Sequence, residues 1–259
     1  MDPNYKEFCY SLARKAGEIM TDVFSKGVKR EWKENRTPVT VADTKINSLV
    51  IERINKEFPE YDVIGEEESS ISNNGAYVWV CDPLDGTFPF SHGVPTAVFS
   101  LALVKDGIPI LGVIYDPWSD RMYYAEKGKG ALLNDEPISV NDNTDLGRKI
   151  LGVEAWKGAR YDLSRAYALL IEKDAILINT GSTVYISMLV ASGEFTGFLF
   201  PGYTCYDGAA IKIIVEEAGG KVTDLYGEEQ RYDSDLKGMI ISNGKVHEEL
   251  LELVSKILT

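Results

Sequence analysis

The chain has 259 residues, enough for one large domain or two closely packed halves with a sizeable core. Hydrophobic residues make up 44% and charged residues 26%, an ordinary globular balance, and a formal net charge of −13 argues against a nucleic-acid surface or adhesion to an anionic membrane. No apolar run reaches membrane-spanning length, and Met1-Asp2-Pro3-Asn4-Tyr5 shows no basic stretch leading into an apolar core, so neither a span nor a secretory signal is expected.

In chain order, the first expected element is an amphipathic helix over 5–25. Phe8, Leu12, Ala16, Ile19, Met20 and Val23 recur there at helical spacing. Lys33 to Val39 is polar and carries Pro38, which fits a loop or short extended segment. Thr40 can cap a second helix running to about Phe58, with Asp43 closing a capping box and Pro59 ending it. Strands are expected at Tyr61–Ile64, Tyr77–Cys81, Val98–Val104, Ile110–Tyr115 and Arg121–Ala125. Lys105-Asp106-Gly107 joins two of them as a hairpin, because glycine tolerates positive φ.

The pattern then alternates. Ile150–Glu154 reads as strand, Leu163–Glu172 as helix, Ala175–Asn179 as strand, Val184–Ala191 as helix, Gly197–Phe200 as strand and Asp207–Glu217 as helix. Val222–Asp224, Gly238–Ser242 and a last helix from about Lys245 complete the chain. A sheet-rich first half and an alternating second half suggest layered α/β sandwiches with the site between them. The division falls near Asn141–Arg148: residues 1–145 form an α+β half with most of the acidic candidates, residues 146–259 an α/β half with Asp207 and the substrate pocket, in one compact unit. Cys9, Cys81 and Cys205 are widely spaced without a CxxC pair, which fits reduced, packed thiols and a cytoplasmic location.

Three acidic segments carry the chemistry. Gly65-Glu66-Glu67-Glu68 follows a short strand; an acidic run is usually a solvated loop, but strand ends are where α/β sites are built, and Gly65 permits a sharp turn. Asp82-Pro83-Leu84-Asp85-Gly86-Thr87 closes another strand. It could be a plain turn, since Asp, Pro and Gly are turn formers. Two carboxylates 4 Å apart repel by about 4 kcal/mol at an effective dielectric of 20, which favours a shared proton or a bridging cation. Hard oxygen donors without a His/Cys cluster favour Mg²⁺ or Mn²⁺ over zinc. The N–H groups of Gly86 and Thr87 would cradle a phosphate if a helical turn begins there. Asp207 stands where a helix starts; it is either a simple N-cap or a third acid facing a cation.

Taken together, Thr40-Val41-Ala42-Asp43, Gly65-Glu66-Glu67, Asp82-Pro83-Leu84-Asp85-Gly86-Thr87 with Phe90, Gly181-Ser182-Thr183, and Asp207-Gly208-Ala209-Ala210 leading to Glu217-Ala218-Gly219-Gly220 resemble the inositol monophosphatase family. The resemblance implies a layered αβαβα sandwich of the inositol monophosphatase and sugar phosphatase type. It implies a phosphatase of small phosphate monoesters with two or three Mg²⁺ ions, Mn²⁺ as a substitute, and Ca²⁺ or Li⁺ as inhibitors. Glu66, Asp82 and the Leu84 carbonyl would hold one metal; Asp82, Asp85 and Asp207 a second; Glu66 would approach a weaker third. Asp43 and Thr87 would orient the attacking water, with Glu66 also in the catalytic set. Gly86, Thr87, Gly181, Ser182, Thr183, Phe200 and Lys33 would bind substrate. A homodimer is implied, with a small phosphorylated metabolite as partner and neither nucleic-acid polymer nor membrane.

The chain departs from the family pattern in places. Pro89 replaces the asparagine of DGTxNF, which changes the turn after Thr87; Cys81 replaces an aliphatic residue and Tyr206 a tryptophan. Inositol-specific members carry a hydroxyl-binding glutamate seven residues before the last aspartate, where this chain has Phe200; the nearest earlier acid is Glu194. Phe200-Pro201-Gly202-Tyr203-Thr204 could instead stack on a base, imidazole or sugar face. An inositol 1-phosphate type of substrate therefore stands beside fructose 1,6-bisphosphate, histidinol phosphate and 3′-phosphoadenosine 5′-phosphate. Thr37-Pro38-Val39-Thr40 leans weakly to the last two. From another class, a non-catalytic metal- or phosphate-binding regulatory protein would have no need of six convergent polar groups. His92 and His247 read as surface or packing residues, and Lys157 as a weak candidate for an anionic substituent.

Overall fold

The computed structural model describes residues 4–33, 38–71 and 75–258. The first helix, α1 (Tyr5–Ser25), begins at Asn4, whose side chain accepts a hydrogen bond from Glu7 N at 3.3 Å. Its stripe of Phe8, Leu12, Ala16, Met20 and Val23 is buried, as the spacing predicts. Helix α2 (Val41–Glu57) starts with the expected capping box: Asp43 Oδ2 accepts from Thr40 N at 2.8 Å, and Thr40 Oγ1 accepts from Ala42 N. Between them, β1 (Arg30–Trp32) and β2 (Pro38–Thr40) pair as an antiparallel ribbon. The sequence gives no hint of β1, whose three residues are all exposed. Thr37 lies outside the described residues.

A seven-stranded sheet follows in simple sequential order: β3 (Asp62–Gly65), β4 (Tyr77–Asp85), then past a short helix α3 (Thr87–Ser91), β5 (Val98–Lys105), β6 (Ile108–Asp116), β7 (Arg121–Glu126), β8 (Ala131–Leu133) and β9 (Glu136–Pro137). Only β3–β4 is parallel. Residues 106 and 107 form the two-residue turn between β5 and β6, with φ of 52° at Asp106 and 85° at Gly107, which matches the twist of a hairpin. The central strands are apolar on both faces because helices cover both. Trp79, Cys81, Leu101 and Leu103 pack with α1 and α2, while Val78, Val80, Ala102 and Val104 face the other way.

The second sheet has the order β11-β10-β12-β14-β13. Its strands are β10 (Ile150–Val153), β11 (Ile176–Leu177), β12 (Gly197–Phe200), β13 (Lys221–Thr223) and β14 (Met239–Ser242). Helices α5 (Thr183–Ala191) and α6 (Cys205–Glu217) are buried nearly all round and fill the space between the two sheets. Helices α4 (Ser164–Glu172) and α7 (His247–Ser255) cover the far face. The layers therefore run αβαβα. His247, the first residue of α7, is buried within hydrogen-bond distance of Thr223 Oγ1 (3.0 Å) and Ser242 Oγ (2.8 Å); burial and then Lys221 bring its pKa down to about 4, so it stays neutral.

Candidate metal and phosphate site

The site begins with an irregularity in β4. The sequence suggests that Pro83 turns the chain after Asp82, but the strand continues to Asp85. Asp82 pairs with Ser100 and Asp85 with Val98, so three steps on β4 oppose two on β5. In a regular strand, residues three apart point to opposite faces; the extra residue of this bulge turns both carboxylates to the same side. Pro83 sits in the bulge, where a missing N–H costs no ladder bond. The N–H of Leu84 donates to Asp82 Oδ1 at 2.9 Å.

Neighbouring elements bring the other acids. Gly65 pairs with Cys81 across parallel β3–β4, and Glu66 N donates to Cys81 O at 3.2 Å, which sets Glu66 beside Asp82. Gly65 is not at positive φ; it is needed because a β-carbon there would meet Asn47 Oδ1 at 2.4 Å and Glu68 O at 2.5 Å. Asp207 lies in the first turn of α6. The N-cap is Thr204 rather than Asp207, and its hydroxyl donates to Asp207 Oδ2. Thr204 thus holds the N-cap position without a side-chain cap, and Asp207, bound by its hydroxyl, lines the cleft. One oxygen from each of Asp82, Asp85 and Asp207 lies within 4.8 Å of the others.

Burial and mutual repulsion make the acids of this cluster costly to ionise, a cost that either bound protons or a divalent cation would relieve. Burial, then the charges of Glu66, Asp85 and Asp207, hold Asp82 well above the usual carboxylate range. Burial and then Asp85 do the same to Asp207. Burial pushes Asp85 up to about 6, against hydrogen bonds from the Ser182 hydroxyl and the N–H of Val184 (2.9 Å) at the start of α5. Burial also lifts Glu66 to about 7, with Lys33 pulling the other way. Lys33 Nζ reaches Glu66 Oε1 at 3.0 Å and Glu67 Oε1 at 2.5 Å; burial opposes its charge, but the two glutamates outweigh it and raise its pKa. Several carboxylates with no histidine or cysteine ligand suit a hard divalent ion.

Beside this cluster, Thr87 Oγ1 lies 3.0 Å from Asp43 Oδ1 and 3.1 Å from Leu84 O, and its one proton can go to either. Asp43 is fully buried, and burial raises its pKa although Thr40 and Thr87 stabilise the charge. A helical turn does begin at Thr87, from Gly86 at φ 92° and with no side-chain cap. Pro89 is the third residue of α3, where its missing N–H would have had no helical partner, so the proline is accommodated.

A cleft of about 190 Å³ joins these groups, lined by Glu66, Asp82, Leu84, Asp85, Thr87 and Asp207, and also by Pro38, Gly86, Phe88 and Gly181. A larger groove of about 480 Å³ lies beside the end of α1, but no such acid cluster lines it, so volume does not identify the site. Ser182 and Thr183 turn their hydroxyls to protein carboxylates, Asp85 and Glu154. Phe200 does not line the cleft. It is 3% exposed, its ring 6.3 Å from that of Trp156, and Gly202 folds so closely over it that a β-carbon would meet the ring at 2.0 Å. Any stacking surface falls instead to Trp156 and Tyr203, each 47% exposed. Lys157 is exposed in a separate groove. His92 packs on Phe88 with ring centroids 4.5 Å apart.

Sequence reasoning missed Glu154. It accepts from Thr183 Oγ1 at 3.0 Å, and burial, then Asp85, push its pKa up to about 7. An acid ending an apolar strand was visible, but nothing local tied it to Asp85, which is far away in sequence.

Among known proteins, the model of the inositol monophosphatase family matches residues 3–259. A fructose-1,6-bisphosphatase/inositol-1-monophosphatase of Thermotoga maritima is 33% identical over 97% of this chain and 96% of its own. A histidinol-phosphatase of Chlorobaculum parvum is 31% identical over 96% and 95%. The solved structure of the Thermotoga maritima IMPase superposes with a TM-score of 0.88 at 31% identity, covering 98% of both chains. That of the extragenic suppressor protein suhB from Bartonella henselae gives 0.88 at 26% identity, covering 98% of this chain and 99% of its own.

Proposed function

The chain belongs to the inositol monophosphatase family, and we propose that it is a Mg²⁺-dependent hydrolase of a small phosphorylated metabolite of the inositol 1-phosphate type. Family members hydrolyse phosphomonoesters in a metal-dependent way, and the phosphatase activity extends to this chain with the family. The observation that carries the finer reading is the buried Asp82–Asp85–Asp207 triad, whose oxygens converge within 4.8 Å.

In this reading, Glu66, Asp82 and the Leu84 carbonyl hold one ion, Asp82, Asp85 and Asp207 a second, and Glu66 faces a weaker third. When bound, the divalent ions supply Lewis acids that neutralise phosphoryl charge and acidify water. Thr87 and Asp43 hold the attacking water in line: the hydroxyl accepts its proton while passing its own to Asp43 Oδ1, 3.0 Å away. Asp43 Oδ2 is fixed by Thr40, so Oδ1 is the free acceptor. The N–H groups of Gly86 and Thr87 would bind the phosphate oxygens, with Gly181 also lining the cleft and Lys33 balancing Glu66 and Glu67. No side chain has to act as nucleophile, and catalysis rests on positioning and electrostatics.

The test is release of inorganic phosphate from inositol 1-phosphate and from p-nitrophenyl phosphate, in Mg²⁺ and in EDTA. Asp85→Asn should cost at least about 100-fold in kcat/KM and weaken Mg²⁺ activation. No metal-dependent turnover of any ester would sink the reading. The substrate is decided by kcat/KM across inositol 1-phosphate, fructose 1,6-bisphosphate, histidinol phosphate and 3′-phosphoadenosine 5′-phosphate. A homodimer is supported by the exposed Ile171, Ile176 and Ile178 around the edge strand β11. A cytoplasmic location is supported by three free, buried cysteines. No helix among the described residues is long and apolar enough to cross a membrane.

A further inference from the structure

Glu154 stands outside the triad and does not line the cleft itself, but it is tied to the cleft through Thr183 and Ser182. Strands β10 and β12 are parallel, with Val153 beside Leu199 and Glu154 N donating to Leu199 O at 3.0 Å. One step further places Glu154 beside Phe200 on the same face of the sheet. That face is the one turned to α5: a β-carbon on Gly152, two residues earlier, would meet Ile186 at 2.9 Å. Glu154 therefore points at the start of α5, where Thr183 Oγ1 donates to its Oε2. The neighbouring Ser182 hydroxyl donates to Asp85, so a short chain of groups links Glu154 to the triad. Glu154 feels the Asp85 charge, and Asp207 feels that of Glu154. Its other oxygen, Oε1, accepts no hydrogen bond among the described residues, and it is not among the sealed polar atoms of the interior. Phe200 beside it is apolar and buried, and Trp156, two residues on, packs over Phe200. Glu154 is thus the free acceptor that this end of the sheet presents next to the triad.

We propose that Glu154 Oε1 accepts a hydrogen bond from a hydroxyl or amine on the alcohol portion of the substrate, and so selects phosphate esters that carry such a donor. The inference rests on the phosphatase reading above. It makes Glu154 a specificity residue and gives it no part in holding metal or moving the water's proton. Thr183 fixes the carboxylate's orientation through Oε2 and leaves Oε1 for substrate. A site built to pair with a donor rejects analogues that lack it, because its own buried polar group is then left unpaired.

The experiment measures kcat/KM for inositol 1-phosphate (hydroxyl donors), histidinol phosphate (an amine) and p-nitrophenyl phosphate (no donor), with Mg²⁺ saturating. Glu154→Gln keeps an oxygen for Thr183 but turns an NH₂ towards the substrate. The ratio of kcat/KM for the preferred donor-bearing ester to that for p-nitrophenyl phosphate should fall by about 10- to 100-fold. The donor-bearing ester whose ratio falls identifies the hydroxyl or the amine as the recognised group. Glu154→Asp retains the charge on a shorter arm and should lower the same ratio; it decides the matter if the glutamine variant does not fold. An unchanged ratio overturns the inference. So does an equal loss on all three esters with a raised Mg²⁺ half-saturation, which would make Glu154 a support of the metal set. A wild-type enzyme that turns over p-nitrophenyl phosphate in Mg²⁺ but prefers it to both donor-bearing esters overturns the inference and leaves the phosphatase reading standing. No turnover of any ester defeats that reading itself.

Discussion

Asp43 and Thr87 show how much of the proposed chemistry rests on single contacts. Asp43 Oδ2 is occupied by the capping box and Oδ1 by Thr87, so one carboxylate both starts α2 and orients the threonine. If the pair moves the water's proton, Asp43→Asn and Thr87→Val should each lower kcat by about 10²- to 10⁴-fold with little change in KM. The double variant should be scarcely worse than either single one, since the residues act as a unit; additive losses would separate their roles. Titration gives a second residue-scale prediction. Folded-state pKa values of Glu66 (about 7) and Asp85 (about 6) lie above the ordinary carboxylate range, as do those of Asp82 and Asp207 in direction. The folded metal-free protein therefore holds protons that the unfolded chain has released. That stability is fully present below about pH 4 and is lost as pH rises through 6–7. In EDTA, the melting temperature should fall between pH 5 and 8 on account of these groups, and Mg²⁺ should raise it more at pH 8 than at pH 5. Calorimetry in the two conditions checks both signs; a metal-free protein stabilised across that window would contradict them. The acids of the triad were legible because they sit in short motifs with Gly, Pro and Thr. Glu154 was not, because only tertiary packing brings it near Asp85 and Asp207.

At the scale of elements, long periodic segments were readable and short corrective ones were not. Helix α1 and the capping box of α2 follow from apolar spacing and a Thr-x-x-Asp signature. Other features escape such reading: β1, which is short and exposed and pairs only with β2; the three- and two-residue strands β8 and β9; and the β4 bulge, which Asp-Pro-x-Asp disguises as a turn. The bulge matters most, since without it Asp82 and Asp85 would face apart. Gly65 is the matching device on β3. It passes so close to Asn47 and Glu68 that even a methyl group would push the Glu66–Glu67 loop outward. Gly65→Ala should cost about 1–3 kcal/mol of stability through overpacking and should also raise the Mg²⁺ concentration for half-activation, because Glu66 moves with the loop. Denaturant unfolding and a metal titration together check this; a destabilised variant with unaltered metal activation would detach Gly65 from the site.

For the whole molecule, the layer order makes the residues on either side of position 145 depend on one another for folding and for the acid cluster. Helices α5 and α6 come from the second half, yet they cover the face of the first sheet formed by Val78, Val80, Ala102, Val104 and Ile114. The first half also supplies Glu66, Asp82 and Asp85, whereas Asp207 comes with α6. A fragment of residues 1–145 would leave one face of a seven-stranded sheet bare, a far larger apolar surface than a soluble monomer exposes. It should therefore aggregate or bind a hydrophobic dye, and show no cooperative unfolding transition. Residues 146–259 supplied in trans should restore a single transition. Mg²⁺ should then tighten the association, because the proposed second ion needs Asp82 and Asp85 from one fragment and Asp207 from the other. Asp207→Asn in the second fragment should abolish the effect of Mg²⁺ on association while leaving metal-free association in place. Calorimetric titration of one fragment with the other, with and without Mg²⁺, reads all of this. A first fragment that unfolds cooperatively alone would show that α5 and α6 only shield its sheet, and Mg²⁺-independent association would take Asp207 out of the metal set.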